Sequence, residues 1–115
     1  MSGSNFSINV AGNWTDTSTG AFTEGSGTVT FDGGGAQTIN ANETFNNVTI
    51  NKSGGTATVS TNSLLAAGTL TVTAGTLDMN GIAATITGLA TVSGGTYTAS
   101  TATQTFNGGL TVSSG

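Results

Sequence analysis

Apolar and polar residues alternate strictly in several short segments of this chain. In residues 69–73 (TLTVT), Leu70 and Val72 fall on one side of an extended strand and three threonines fall on the other. Residues 76–79 (TLDM) and 84–87 (ATIT) repeat the alternation. Glycine, asparagine and serine separate these segments, and they are residues that accept tight bends. The pattern predicts three short strands joined by three corners.

The alternating unit recurs along the whole chain. Each unit consists of an apolar residue, a central polar residue and a second apolar residue. The central positions are Asn9, Thr30, Thr49, Thr71, Thr91 and Thr111, and successive ones lie between 19 and 22 positions apart. Such a period, made of short strands, is typical of a solenoid in which identical positions stack. We therefore predict an all-β fold, a parallel β-solenoid (β-helix) of about six coils, with roughly 20 residues and three short strands per coil.

An antiparallel β-sandwich also fits short strands with frequent turns, but it does not require like residues to recur at one period. Gly68, Gly88 and Gly108 do recur every 20 residues, which favours the solenoid. We expect a single β-solenoid domain over residues 6–115. It is preceded at residues 1–5 by a flexible N-terminus or a remnant of cloning.

The first coil and the two ends of the solenoid differ from the regular repeat. Residues 11–27 follow the repeat less closely, and we expect Trp14 to cover the core there, because terminal repeats are commonly atypical. The residues expected to line the core are Leu70, Val72, Leu77, Ile86, Val92, Tyr97, Phe106 and Val112. The residues expected at the two ends are Phe6, Ile8, Val10, Leu110 and Val112.

Composition and charge exclude several classes of function. The 115 residues, enough for one domain, include five acidic residues and a single basic residue, Lys52, for a formal net charge of −4. Nucleic acid and anionic membrane surfaces require a basic face, so neither is an expected partner. The N-terminus lacks the pattern of a signal peptide, and no apolar run approaches the ~20 residues of a membrane span. We therefore expect no membrane insertion.

Catalysis is not expected either. The chain has no histidine and no cysteine, which leaves as acid–base groups the carboxyl groups of Asp16, Glu24, Asp32, Glu43 and Asp78. Some β-helix enzymes cleave polysaccharides with paired carboxylates. Those enzymes build their clefts from long loops, whereas the corners of this chain are a few residues each. We predict no enzyme activity, no metal and no cofactor, and we interpret the carboxylates as solvated corner residues.

Two segments of the chain resemble repeats of a known kind. Residues 27–60 (GTVTFDGGGAQTINANETFNNVTINKSGGTATVS) and 68–81 (GTLTVTAGTLDMNG) are similar to β-strand repeats of very large bacterial cell-surface and secreted proteins of the autotransporter-adhesin type. The resemblance covers roughly residues 12–115. It implies a parallel β-helix, an extracellular or cell-surface location, and a structural or adhesive role as a stalk, filament or scaffold.

Outward-facing threonines form the most regular predicted surface. Side chains two residues apart on a strand lie ~6.7 Å apart, and stacked rungs repeat at ~4.8 Å, so two parallel rows are expected. Such an array resembles the ice-binding face of β-solenoid antifreeze proteins, although threonine also suits any exposed strand position. An ice or glycan surface is the partner that this face would bind. Its candidate residues are Thr30, Thr49, Thr71, Thr73, Thr91 and Thr111.

The end of the solenoid predicts a different function. A last coil exposes unpaired backbone groups above an open apolar core, and residues 108–115 (GGLTVSSG) contain no charge or proline that would block pairing. A contact between opposite ends of two copies does not close, and therefore propagates. We predict a non-catalytic structural protein that assembles head to tail into extracellular filaments, or that forms a segment of a surface stalk or adhesin. The alternative is a binding module with a flat Thr-rich face.

Overall fold

A computed structural model describes residues 7–16, 27–41 and 44–113 of the chain. Strands are the regular elements of these residues, and none of these residues lies in a helix. In chain order the strands are β1 (Ser7–Val10), β2 (Trp14–Asp16), β3 (Thr28–Phe31), β4 (Gln37–Ala41), β5 (Thr44–Phe45), β6 (Asn47–Val59), β7 (Leu64–Ala66), β8 (Leu70–Asp78), β9 (Ala84–Ile86), β10 (Ala90–Val92), β11 (Thr96–Thr98), β12 (Gln104–Phe106) and β13 (Leu110–Val112).

The strands stack in three columns. The first column runs β1–β3–β6–β8–β10–β13 and uses the N-terminal halves of the long strands β6 and β8. The second column runs β2–β4–β6–β8–β11 and uses the C-terminal halves of the same two strands. The third column runs β5–β7–β9–β12. Every one of these pairings is parallel, so the predicted parallel β-solenoid is confirmed and the antiparallel sandwich is excluded.

The number of rungs decreases from the first column to the third. The described residues supply six rungs, five rungs and four rungs respectively, which corresponds to about five turns. The expectation of about six coils counted the unit around Thr111 as a whole coil, whereas the described part of that unit is β13 alone. Identical repeat positions do stack directly, since Leu70 pairs with Ala90 and Ala90 pairs with Leu110.

Burial follows the alternation within each strand. In β4 buried and half-buried residues alternate, because successive side chains of a strand point to opposite faces. The inward set packs between the three columns as one core. Among the residues predicted to line the core, the buried ones are Leu70, Val72, Leu77, Ile86 and Val92. The half-buried ones that pack against it are Tyr97 and Phe106.

Val112 departs from the prediction that it lines the core. Its side chain is 58% exposed, although it pairs in register with Val92, which is 5% exposed. The reason is its place in the stack, because β13 is the last described rung of the first column and no described rung covers its outer side. Alternation determines which way a side chain points, whereas burial also requires a rung on either side.

The first coils contain an aromatic cluster formed by Trp14, Phe31 and Phe45. Trp14 of β2 is half-buried and makes edge-to-face contacts with Phe31 and Phe45, with ring centroids 6.4 Å and 5.1 Å apart. Phe31 and Phe45 are fully buried and contact each other at 6.3 Å. Such pairs contribute about 0.5–1.5 kcal/mol each beyond the burial of their area.

Most of the segment predicted to be irregular, residues 17–26, lies outside the described residues, as do residues 1–5.

The corner between the first and second columns changes width along the solenoid. Four residues, 52–55, form this corner in β6, whereas Gly75 alone occupies the corresponding place in β8, because the pairing of the two strands shifts register there. We call these the wide corner and the narrow corner. Gly75 has a φ of +82°, and a side chain at this position would place its Cβ 2.7 Å from the Cβ of Lys52. The narrow corner therefore packs directly against the wide one.

Candidate functional site

A single row of polar side chains runs along the outer face of the first column, and we call it the threonine row. In order, it consists of Asn9, Thr30, Thr49, Thr71, Thr91 and Thr111, each paired with the next. The four threonines inside the stack are half-buried because a rung flanks each of them on both sides, whereas Thr111 in the last described rung is exposed. Five of the six residues predicted for the Thr-rich face lie in this row.

Thr73, the sixth predicted residue, lies outside the threonine row. It is exposed, but the register between β6 and β8 shifts after Ile50, so that Asn51 pairs with Ala74 and not with Thr73. The second row expected beside the first is therefore interrupted at this rung. The extra residue at this shift lies in β8, since one step along β6, from Ile50 to Asn51, corresponds to two steps along β8, from Val72 to Ala74. The second predicted row of the first column is therefore not continuous between β6 and β8.

Two shorter rows lie side by side on the second column, where the sequence was not interpreted as a binding face. The members of one row are Thr56, Thr76 and Thr96. The members of the other row are Thr38, Thr58, Asp78 and Thr98. We call them the paired rows. The sequence contains a signal for them, since the segments TAT, TLD and TYT begin at 20-residue intervals. Asp78 places one carboxylate among the hydroxyl groups.

The two ends of the first column each have a described partner on one side only. β1 pairs with β3, and β13 pairs with β10. Ile8 and Val10 of β1 are half-buried, whereas Leu110 and Val112 of β13 are 48% and 58% exposed. Phe6, which was also predicted at an end, lies outside the described residues. The apolar side chains of β13 are therefore more exposed than those of β1.

An open cavity of about 160 Å³ lies at the β13 end. It is lined by Val92, Gly95, Thr96, Tyr97, Leu110 and Val112. The cavity continues the core, because the side chains of β13 stack on the buried positions of β10. Its lining is mostly apolar and contains no charged residue, so the cavity fits apolar side chains of another rung better than a charged ligand.

Tyr97 and Gln104 form a hydrogen-bonded pair near the β13 end. The hydroxyl group of Tyr97 donates a hydrogen bond to Oε1 of Gln104, whose Nε2 donates to the carbonyl oxygens of Ile82 (3.0 Å) and Ala102 (3.2 Å). The ring of Tyr97 also makes an edge-to-face contact with Phe106 at 5.7 Å. Burial raises the pKa of Tyr97 to about 12. The phenol therefore remains a protonated donor at neutral pH.

Lys52, the single basic residue of the sequence, lies inside the wide corner. Its side chain is 1% exposed, and its Nζ donates to the carbonyl oxygens of Gly33 (2.8 Å) and Gly35 (2.7 Å) and to Oε1 of Gln37 (2.7 Å). An ammonium group has three N–H donors, so all of them are paired. Burial lowers the pKa of Lys52, and the nearby carboxylate of Asp32 partly opposes this change. The pattern of the sequence does not predict this burial.

Gln37 connects Lys52 to the first coil, and we call the two side chains the polar plug. Oε1 of Gln37 also accepts the backbone N–H of Gly33 at 2.9 Å, while its Nε2 donates to the carbonyl oxygens of Val10 (2.8 Å) and Gly12 (2.6 Å). The plug thereby links three successive coils at one corner. Because both side chains are buried and their polar atoms are paired within the protein, the plug is suited to holding the corner rather than to binding a ligand.

The carboxylates whose side chains are described take part in local hydrogen bonds. Oδ2 of Asp32 accepts from Nδ2 of Asn9 at 3.0 Å, and Oδ1 of Asp78 accepts from the backbone N–H of Asn80 at 2.9 Å. Asp32 lies in the corner that follows β3, whereas Asp78 is the last residue of β8 in the second column. Within the described part of the chain, no group of three or more acidic, histidine or cysteine side chains could hold a metal ion. The remaining acidic side chains, which are not described, are those of Asp16, Glu24 and Glu43.

Comparison with known proteins identifies no relative. No protein-family model, curated protein or solved structure matches this chain. The parallel β-solenoid therefore rests on the structure, and no match supports an origin among bacterial adhesin-like surface proteins. A membrane-spanning helix is likewise not found in the described ranges.

Proposed function

We propose that this protein is a non-catalytic structural β-solenoid whose copies stack head to tail into filaments. A contrast within the first column supports the proposal. Ala90 and Val92 are 1% and 5% exposed, whereas Leu110 and Val112, which stack on them, are 48% and 58% exposed. A further rung placed on β13 would bury these two side chains as β8 and β13 bury those of β10.

Two kinds of group at the β13 end favour a further rung. Full burial of a leucine or valine side chain stabilises a protein by about 1.5–3 kcal/mol, so covering the half-exposed Leu110 and Val112 contributes on the order of 1 kcal/mol each. The outer edge of β13 also presents backbone N–H and C=O groups, which form a template for another parallel strand. The same contact would enclose the open cavity.

Neither of the two strands that would meet in the first column contains a charged residue. Residues 79–115 contain no Asp, Glu, Lys or Arg, and neither does β1. Natural proteins commonly protect an exposed sheet edge with charged residues, prolines or bulges. β1 and β13 contain neither charge nor proline, and their pairings with β3 and β10 show no register shift. Both strands therefore have the properties of strands that are continued by another rung.

The same stacking serves a stalk when coils follow one another in a single polypeptide. We propose an extracellular or cell-surface location for either arrangement. This part of the proposal is supported by the resemblance of residues 27–60 and 68–81 to repeats of bacterial surface proteins.

Electron microscopy of the purified 115-residue protein at tens of micromolar tests the proposal. We expect unbranched filaments whose power spectrum contains a layer line near ~4.8 Å, the spacing of stacked rungs. Val112→Lys places a charge on the apolar end and should abolish the filaments, while the monomer stays folded because Val112 is already exposed. Ser113→Lys adds the same charge at the next residue, which points outward, and should retain them. Monodisperse unaltered protein, or filaments that persist in Val112→Lys, would contradict the proposal.

A second candidate function is binding of a regular surface of hydroxyl groups, either ice or a glycan. The paired rows favour it, because their threonines repeat along the strand and across the rungs at once. Thermal hysteresis measures ice binding, and cosedimentation with insoluble polysaccharides measures glycan binding. Thr76→Lys, in the middle of the paired rows, should abolish the activity, whereas Thr85→Lys on the third column should retain it. The absence of both activities in the unaltered protein would contradict this candidate.

A further inference from the structure

We infer that the head-to-tail contact is one defined strand pairing, in which β13 of one copy lies parallel to β1 of the next. The paired residues are Leu110 with Ile8, Thr111 with Asn9, and Val112 with Val10. The inference rests on the proposed function and specifies the partner of the open end, which is a second copy of this chain.

β1 and β13 are the opposite ends of a single column. All neighbouring strands between them are parallel, and the same three repeat positions face one another in every pair. Moving a copy along the solenoid axis therefore brings its β1 onto the β13 of the preceding copy without a change of direction. The contact joins two different surfaces, so each added copy presents a new β13 and the stack continues.

The side chains specify the register of this pairing. In the proposed register, Ile8 and Val10 cover the two exposed apolar side chains of β13, and Asn9 extends the threonine row. A shift by one residue would turn Asn9 into the core and both apolar residues of β1 outward, because strand side chains alternate. Asn9 is already held on the outer face, where its Nδ2 donates to Asp32. A shift by two would leave one apolar residue of each strand uncovered.

Side-chain size in the second column supports the same stacking. Trp14 pairs with Ile39, and Ile39 pairs with Val59, in a row of inward positions. The repeat continues this row through Met79 to Ala99. Trp14, at one end of the row, has the largest side chain. Ala99, at the other end, has only a methyl group and is exposed. Because the second column ends one rung before the first, the proposed stack leaves a gap one rung (~4.8 Å) high between Ala99 of one copy and Trp14 of the next, and the large indole ring faces that gap.

A rival arrangement would join two copies through the β13 strands of both. That contact would be antiparallel and would close as a dimer, leaving both β1 strands without a partner from another copy. It would also reverse the path of the chain, so that the second column of one copy would meet the third column of the other. The stacking of like positions, which holds throughout each column of the structure, would be lost.

Disulfide cross-linking tests the pairing, since the chain contains no cysteine. In the Asn9→Cys/Thr111→Cys variant, the two cysteines would lie on neighbouring strands ~4.8 Å apart, within the Cα separation that a disulfide requires. Mild oxidation should then give a ladder of linked multimers on a non-reducing gel. The Ser7→Cys/Thr111→Cys variant places its cysteines two positions out of register, ~8 Å apart, and should give at least about tenfold less linked product.

A mixture of the two single variants provides a second form of the test. Asn9→Cys and Thr111→Cys, mixed and oxidised, should give linked dimers and no longer products, because each chain then has one cysteine. Thr111→Cys alone should give no dimer. Dimers from this single variant would establish the antiparallel contact between β13 strands and overturn the inference.

The remaining outcomes separate the inference from the proposed function. Equal linking in the two double variants would overturn the register. Filaments of the unaltered protein, together with no linked product from Asn9→Cys/Thr111→Cys or from the mixture, would place the interface on another surface and overturn the inference alone. Unaltered protein that remains monodisperse would overturn both.

Discussion

The two halves of the solenoid make the same corner with different chemistry. In the second and third coils the corner between the first and second columns is wide, the polar plug fills it, and the neighbouring core is aromatic. From β8 onward the corner contains a glycine, the repeat holds at 20 residues, and most of the core is aliphatic. The comparison indicates that the wide corner is filled by a buried polar side chain. The narrow corner, in contrast, requires glycine, because it has no room for a side chain.

Backbone chemistry explains this relation. The carbonyl groups of Gly33 and Gly35 accept hydrogen bonds inside the wide corner, and buried carbonyl groups require donors. Lys52 supplies those donors from a side chain long enough to cross the corner. In the narrow corner, a Cβ added at Gly95 would lie 2.5 Å from the carbonyl oxygen of Gly75. No space is left there for a side chain, and none is needed.

The largest loss of stability is expected when the Lys52 side chain of the polar plug is removed. Lys52→Ala would leave two backbone carbonyl groups and Oε1 of Gln37 without their charged donor, and it would open a cavity at the wide corner. We expect the free energy of unfolding to fall by about 3–5 kcal/mol. Urea denaturation followed by circular dichroism measures the change.

The control for this prediction is Lys52→Met, which keeps most of the side-chain stem and removes the donors alone. Its loss of stability should be smaller than that of Lys52→Ala, because less packing is lost. Losses below about 1 kcal/mol in both variants would contradict the role of the plug in holding the wide corner.

A smaller effect is expected from filling the narrow corner. Gly75→Ala would place a Cβ 2.7 Å from the Cβ of Lys52, at a φ of +82° that favours glycine. We expect a loss of about 2–3 kcal/mol in the free energy of unfolding. Gly81→Ala is the control, because its φ of +76° is similar but no atom lies within 4 Å of the added Cβ. It should lose about 1 kcal/mol from backbone strain alone. Equal losses of stability in Gly75→Ala and Gly81→Ala would show that the contact with the wide corner adds nothing to the cost of the side chain.

The smallest expected effect is the change of stability with pH. Its sign is opposite for Lys52 in one half of the solenoid and Tyr97 in the other. The pKa of Lys52 is lowered by folding, so the folded state loses this proton first, and the contribution of Lys52 to stability rises as the pH approaches 10.5. The pKa of Tyr97 is raised by folding from 10.0 to about 12. The unfolded state therefore loses the phenolic proton first, and the stability that Tyr97 confers is lost as the pH rises from 10 through 12.

Variants assign these two opposite slopes to their residues. Tyr97→Phe should flatten the decline in stability above pH 10 by on the order of 1 kcal/mol, a modest value because the phenol is partly exposed to solvent. Lys52→Met should flatten the rise at lower pH. Urea midpoints measured between about pH 8 and pH 12 give both slopes. A decline that is unchanged in Tyr97→Phe would sink the assignment to the phenol.

The regular half of the molecule is the half that the sequence predicts best. The threonine row follows from the period, because a parallel stack forces like positions of each coil together. The inward direction of Leu70 and Val72 follows from alternation alone. The burial of both residues also follows, since the repeat places a further coil on each side of them.

The wide corner could not be predicted in the same way. Lysine is almost never fully buried unless it is paired, and the acceptors of Lys52 are mostly backbone carbonyl groups, which leave no pattern in a sequence. The register shift that separates Thr73 from its expected row could not be predicted either, because alternation does not determine where a strand takes up an extra residue. The exposure of Val112 depends on whether another rung lies beyond it, and alternation within β13 contains no such information.

The positions of two aromatic residues have a consequence for spectroscopy. Trp14 is the only tryptophan and Tyr97 the only tyrosine, and they lie in the first coil and the last full coil. Their fluorescence therefore reports the unfolding of opposite ends, and two separate transitions would mean that the solenoid unravels coil by coil. In the stack inferred above, Tyr97 of one copy comes close to Trp14 of the next. Resonance energy transfer from tyrosine to tryptophan would then increase as copies join, which makes assembly visible in solution without an added dye.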